Sequence, residues 1–326
     1  VKRALKVILS WLLVAAITFG ALEGVCRLLD PLGISYYPET AKWLGTLEVQ
    51  DPVGYRNRPG TVGEFYGAPV RINSIGLRGP EILPKQPGEF RVLLMGDSFP
   101  FGIGVTEEQA FPAVLERLLL RDAPQGARAR VINMGVVSYN SVQELRQLRE
   151  LGLSLAPDAV VLSYAINDIE PVMWVLDKRR NPLANLVQRS YAGSLVAILT
   201  RNAKNALTGS SPVDMGAYRP DSPGWRAVDR SLAEMNALCR EAGIPFVVFH
   251  IFEDVPALRA LLTQLGRREG FPVMEVFPSG DPRYAALDPS TLVNSAMDLH
   301  PNVEGNIMWA ELLRKSLRGH LGAWRY

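Results

Sequence analysis

The sequence predicts an α/β protein: a doubly wound, mostly parallel five-stranded sheet, preceded by a single apolar helix. Three observations predict it. From Phe90 to the C-terminus, short apolar runs ending in glycine or polar residues alternate with amphipathic helical stretches. At the other end, Lys2, Arg3 and Lys6 precede an apolar run from Val7 to Leu22. Between the two lies a stretch rich in Pro, Gly and Tyr without sustained periodicity. Composition is compatible with a large core, at 48% hydrophobic and 21% charged over 326 residues, and excludes global disorder. A net charge of +2 gives no electrostatic reason to expect nucleic acid. Two cysteines and three histidines supply neither a disulfide framework nor a His-rich metal site. No cofactor or metal is expected.

The N-terminal run rises about 24 Å, short of the roughly 30 Å hydrocarbon core, unless Ala4 and Leu5 join it and Lys6 snorkels to the headgroups. Residues 1–30 are therefore expected to form a short cytoplasmic tip and an uncleaved transmembrane signal anchor. A cleaved secretory signal is the alternative, but the helical pattern continues through Val25, Leu28 and Leu29 without a clear Ala-x-Ala site. Glu23, Gly24 and Val25 before Cys26 fit a lipoprotein signal poorly. The basic flank places the N-terminus in the cytoplasm and the remainder in the periplasm or its equivalent.

Residues 31–89 are expected to form an extracytoplasmic collar or cap. Tyr36 and Tyr37 fall where an interfacial aromatic pair would sit. Val62 to Asn73 reads as two short strands joined by a turn at Gly67 to Pro69, and Ser74 to Pro80 as a connector.

Residues 90–326 carry the main domain. Arg91 to Met95 is the first strand, followed by a helix with Pro112 in its first turn and Val114, Leu115, Leu118 and Leu119 inward. Strands are expected at Arg130–Asn133, Asp158–Tyr164, Pro245–Phe249 and, weakly, Pro272–Val276. Helices are expected at Val142–Leu153, Val228–Ala242, around Ala257–Leu265, and from Asn302 to the C-terminal region. An insertion at 171–212 follows the third strand. It carries Lys178, Arg179, Arg180, Arg189, Arg201 and Lys204 against Asp177, interleaved with Leu183, Leu186, Val187, Leu195, Val196, Ile198 and Leu199. It reads as a solvated helical excursion or as a lid near anionic headgroups or an anionic polymer.

Ligands of such sheets bind beyond the carboxyl ends of the strands. Four blocks lie there: Gly96-Asp97-Ser98, Gly135, Asn167-Asp168, and Asp298 with His300. Each alone is a common loop sequence. Together they supply what acyl transfer requires. The Ser98 hydroxyl needs a base, and His300 can serve; Asp298, two residues before it, can fix the imidazole tautomer. Donors for an oxyanion are the Ser98 and Gly135 N–H groups and the Asn167 amide. His250 is the rival base, but its neighbouring acids, Glu253 and Asp254, follow it. Asp97 and Asp168 are expected to bind loop backbone, and His320 to lie on the surface.

The order Ser98, Gly135, Asn167, His300 resembles the SGNH (GDSL) hydrolase superfamily, over roughly Phe90 to the C-terminus. The resemblance implies a three-layer αβα sandwich and a serine esterase, lipase or acyltransferase chemistry. It also matches membrane-anchored extracytoplasmic members of that superfamily in layout. Here the third block begins with Ala165 where the family usually has Gly, and the last is Asp-x-His where Asp-x-x-His is common. The absence of Gly-x-Ser-x-Gly separates the chain from ordinary α/β-hydrolases. The expected function is a membrane-anchored serine esterase acting on O-acyl groups of a glycan or lipid through an acyl-enzyme on Ser98. The alternatives are a periplasmic O-acyltransferase, or an accessory subunit that joins a membrane-protein complex through the N-terminal helix.

Overall fold

The computed structural model describes residues 2–30, 32–50, 54–121, 123–171, 186–208, 215–253 and 255–321. Asp177, Lys178, Arg179, Arg180 and Leu183 of the insertion, and Asp254, lie outside the described residues.

Helix α1 (Lys2–Leu29) is longer than the apolar run alone, because Glu23 and Arg27 pair one turn apart at 2.6 Å and carry the helix to Leu29. Its most apolar stretch has a mean hydropathy of 2.1 and none of it is covered by the other described residues. It is long and apolar enough to cross a membrane.

The sequence expectation for the collar missed two elements. Helix α2 (Tyr36–Thr46) and a small hairpin, β1 (Glu48–Gln50) with β2 (Gly54–Arg56), precede the expected strand pair. That pair forms as β3 (Val62–Phe65) and β4 (Ala68–Arg71), but the turn is Tyr66-Gly67, one residue earlier than expected. Tyr66 and Gly67 both have positive φ, while Pro69 sits inside β4. Trp43, Leu44, Leu47, Tyr55, Phe65, Val70 and Ile72 of the collar share one apolar cluster with Phe101, Ile103, Val136, Val137 and Tyr139 of the main domain. The collar is thereby packed onto the loops that end the sheet strands.

In the main domain, β5 (Glu89–Gly96), β6 (Arg128–Asn133), β7 (Ala159–Tyr164), β8 (Phe246–His250) and β9 (Val273–Glu275) form one sheet in the order β6-β5-β7-β8-β9, parallel throughout. Alternation along the strands divides the core in two. Leu93, Met95, Val160 and Leu162 face one layer, of α5 (Ser141–Glu150), α7 (Pro223–Glu241) and α8 (Pro256–Glu269). Val92, Leu94, Ala159 and Val161 face the other, of α4 (Phe111–Arg121) and α9 (Val303–Leu317). This is a three-layer αβα sandwich. A four-residue helix α3 (Ser98–Phe101) follows β5, and α6 (Tyr191–Thr208) is the described helix of the insertion.

Leu162 is fully buried at the centre of the sheet. Leu162→Ala should cost about 2–5 kcal/mol through lost burial and the cavity left behind, read as a lower denaturant midpoint at unchanged m.

Candidate active site

Strand β5 ends in Gly96, and Asp97 caps α3 by accepting the Phe99 N–H at 3.0 Å, which leaves Ser98 at the helix start. The Ser98 hydroxyl lies 2.7 Å from His300 Nε2, and His300 Nδ1 lies 2.6 Å from Asp298 Oδ1. A carboxylate only accepts, so Nδ1 carries the proton and Nε2 is left to accept from the serine. The serine proton has a second acceptor in Asp97 Oδ2 at 3.2 Å, a longer contact than that to His300. Asp298 also accepts the His300 backbone N–H at 3.1 Å, which closes the Asp-x-His turn upon itself.

The loop carrying these residues is tied on several sides. Asn294 Nδ2 donates to Asp298 Oδ2 at 2.9 Å and to the Ile103 carbonyl at 3.1 Å. Ser295 Oγ accepts the Asp298 N–H at 3.0 Å, and the Met297 N–H donates to the Leu32 carbonyl at 3.1 Å. At Gly33 the chain leaving α1 passes so close that a Cβ would lie 1.9 Å from Ser295 Oγ. The Tyr36 and Phe99 rings flank the His300 ring, with centroids 5.7 and 5.5 Å away. A cavity of about 460 Å³, walled in part by Leu32, Gly33, Tyr36 and Asn294, reaches Asp298 from behind but touches neither Ser98 nor His300.

Asn167 lies in the turn after β7, where one proton of its amide is held by the Tyr139 carbonyl at 2.9 Å. Gly135 lies in the turn after β6, against α3: a Cβ there would fall 2.2 Å from Phe101 N. Its N–H donates to Asn133 Oδ1 at 2.9 Å. Ser98, Gly135, Asn167, Asp298 and His300 are thus all placed around the carboxyl edge of the sheet.

Other expectations resolve differently. His250 ends β8 fully buried, its ring 5.2 Å from Phe277, and neither ring nitrogen finds a hydrogen-bond partner among the described residues. Burial holds its pKa down, to about 4. Glu253 is engaged by Ser279 at 2.6 Å. His320 is exposed, as expected. Asp168 accepts from the Ser141 side chain on α5, at 3.1 Å.

Sequence reasoning missed Arg78, Asn294, Ser295, Tyr36 and Glu144. Arg78 is buried and donates to the carbonyls of Phe101 at 2.8 Å, Val105 at 2.6 Å and Gly102, so the collar grips the segment after α3. Burial lowers its pKa to about 10. A single Arg-Gly pair in a turn-rich connector carries no signal of this. Glu144 showed only as a polar position on α5. Its carboxyl is fully buried, and neither oxygen has a hydrogen-bond partner among the described residues. Burial, and then Asp97, push its pKa well up, and burial with Glu144 does the same to Asp168.

A serine whose proton can pass to an imidazole oriented by a carboxylate can attack a carbonyl carbon and form an ester with the acyl group. This arrangement defines a serine acyl hydrolase. Residues 94–306 match the GDSL-like lipase/acylhydrolase family. The chain belongs to this family, and is an esterase of the serine type. Among solved structures it is similar to a lipolytic protein of the G-D-S-L family from Desulfitobacterium hafniense, at 13% identity over 69% of this chain and 98% of that one, with a TM-score of 0.42. It is also similar to TesA, at 16% identity over 70% and 97% of the two chains and a TM-score of 0.45. A third is a catalytic mutant of Axe2, an acetylxylan esterase from Geobacillus stearothermophilus, at 15% identity over 73% and 96%, with a TM-score of 0.43. A comparison with curated proteins gives no match.

The buried Glu144 predicts a pH dependence. A folded-state pKa raised above the ordinary 4.5 contributes stability present below that value and lost as pH rises through the folded pKa. Glu144→Gln should match the wild type below pH 4.5 and exceed it in denaturant stability at neutral pH. A variant less stable than wild type at neutral pH would mean that the carboxylate has a partner.

Proposed function

We propose that the protein is a membrane-anchored serine esterase that removes O-acyl groups from a glycan or lipid outside the cytoplasm. The observation that carries this reading is the continuous hydrogen-bond relay from Asp298 through His300 to Ser98. In the first half-reaction, Ser98 Oγ bonds to the acyl carbon as its proton moves to His300 Nε2. The alcohol oxygen then leaves, taking that proton, and the acyl group stays on Ser98. In the second, water gives a proton to His300 as its oxygen bonds to the acyl carbon; the Ser98 Oγ–acyl bond then breaks, Oγ takes the proton back from His300, and the acid leaves. A hydroxyl acceptor in place of water gives O-acyl transfer by the same route. Asp298 holds the imidazole tautomer and stabilises the imidazolium. The Ser98 N–H and the free proton of the Asn167 amide face the oxyanion, with the Gly135 N–H, held meanwhile by Asn133, as the third donor.

The anchored reading rests on α1, whose apolar stretch the protein leaves uncovered. Lys2, Arg3 and Lys6 favour a cytoplasmic N-terminus and a periplasmic body. The expected substrate is ester-bearing and within reach of the membrane.

A fluorophosphonate probe should label Ser98, and Ser98→Ala should abolish labelling and ester hydrolysis without loss of fold. His300→Ala should cost about as much, because the relay acts as a unit. Asn167→Ala should lower kcat by about 10²–10³-fold. Folded wild-type protein that never labels would instead support an accessory subunit that keeps the fold for assembly.

A further inference from the structure

Helix α6 has an apolar face that no part of the described protein covers. At about 100° per residue, Val196, Leu199, Ala203 and Leu207 fall on one stripe. Val196, Leu199 and Leu207 are 52%, 58% and 89% exposed, and Ala203 is exposed as well. Ser194 and Ile198, on the opposite side, are buried against the body. Leu186, just before the helix, is 68% exposed. Water-facing leucines at this spacing are the reverse of what a solvated helix presents.

Two further features indicate what covers the stripe. The first is where α6 begins. Glu23, near the outer end of the apolar stretch of α1, accepts from the Ser190 hydroxyl and from the Ala192 N–H, both at 2.8 Å. The Arg27 guanidinium lies 5.1 Å from the Tyr191 ring centroid. The start of α6 is thus fastened at the level where α1 would emerge from a bilayer. The second is charge. Between Tyr191 and Thr208 there is no acidic residue; the exposed Lys204 lies beside the stripe, beyond Thr200, and the exposed Arg201 lies further round the helix, towards α2. An apolar stripe on a helix whose charged side chains are both cationic, fastened to an uncovered apolar helix, matches an anionic lipid surface.

We propose that α6 lies on the anionic bilayer surface beside α1, with Leu199 and Leu207 among the acyl chains, Lys204 among the headgroups, and the Arg201 charge adding to the attraction from the side of α2. The inference rests on the anchored reading given above. It adds a second point of attachment, which stops the body from swinging on a lone helix. Arg201 reaches Tyr37 Oη at 3.4 Å on α2, and the neighbouring Tyr36 flanks His300. The second attachment therefore leads within two side chains of the catalytic imidazole, and the ester substrate it favours is one borne by the membrane.

The test uses the full chain in vesicles of phosphatidylethanolamine and phosphatidylglycerol. An environment-sensitive fluorophore is placed on Leu199→Cys, Leu207→Cys, Asn202→Cys and Phe19→Cys in separate samples. The two native cysteines are buried and free, and the unsubstituted protein gives the labelling baseline. Nitroxide-bearing lipids should remove most of the emission at 199, 207 and 19, and much less at 202, which lies off the stripe. Arg201→Glu with Lys204→Glu should reduce quenching at 199 and leave that at 19 unchanged. Quenching at 19 with a water-like spectrum at 199 and 207 overturns the proposal and keeps the anchor. A blue-shifted, unquenched signal at 199 also overturns it, and assigns the stripe to a second copy or a protein partner. No quenching at 19 rejects the anchor itself, and the proposal with it.

Discussion

Two short hydrogen bonds, from Ser98 to His300 and from His300 to Asp298, join a turn after the first sheet strand to a loop 202 residues further along the chain. Much of the structure around them serves to hold those two ends still. Hydrogen bonds of this length tolerate little displacement, so both partners need rigid supports. The serine has one in β5 and the capped α3. The histidine loop has no regular structure of its own and borrows rigidity: from Asn294 bridging Asp298 and Ile103, from Ser295, and from the chain at Leu32 and Gly33. The segment leaving the N-terminal helix is therefore part of the wall of the site. Gly33 is where this matters most, because any side chain would displace Ser295.

Holding the serine turn also concentrates buried polar groups beneath it. Arg78 is satisfied by main-chain carbonyls and fastens the collar to the segment after α3. Asp97, Glu144 and Asp168 are buried carboxyls whose pKa values burial raises. Of these, Asp97 is bound by the Phe99 N–H and Asp168 by Ser141, while Glu144 finds no hydrogen-bond partner among the described residues. Burial thus opposes ionisation of these groups, and an ionised carboxylate here would disfavour further negative charge building up near Ser98.

The sheet was readable because period-two alternation and terminal glycines are local signals. The runs at 91–95, 130–133, 158–164 and 245–249 each fall within or against an observed strand. The four candidate blocks could be singled out because strand ends are where such a sheet places chemistry, and Ser98 and Asp298 do come within hydrogen-bond distance of His300. What the sequence hid depends on distant neighbours. Tyr36 looked like a membrane-interface aromatic, yet its ring packs on His300, because α2 folds back over the site. Asn294 and Arg78 act through carbonyls and a carboxylate brought close only by tertiary structure. His250 stood at a strand end like the candidate site residues, but the core closes over it. Gly135 was expected as an oxyanion donor reached closely by another group. What approaches is the backbone of α3, and the Gly135 N–H is taken by Asn133.

The relay is tested most directly by the protonation state of His300, observed by NMR in full-length protein labelled with ¹⁵N-histidine. Only three histidines contribute signals, which makes assignment by single substitution practical. The account predicts that His300, when neutral, carries its proton on Nδ1, with a downfield resonance protected from exchange and lost in Asp298→Ala, and that Nε2 is unprotonated. A neutral His300 protonated on Nε2, or an Nδ1 proton indifferent to the loss of Asp298, would contradict it.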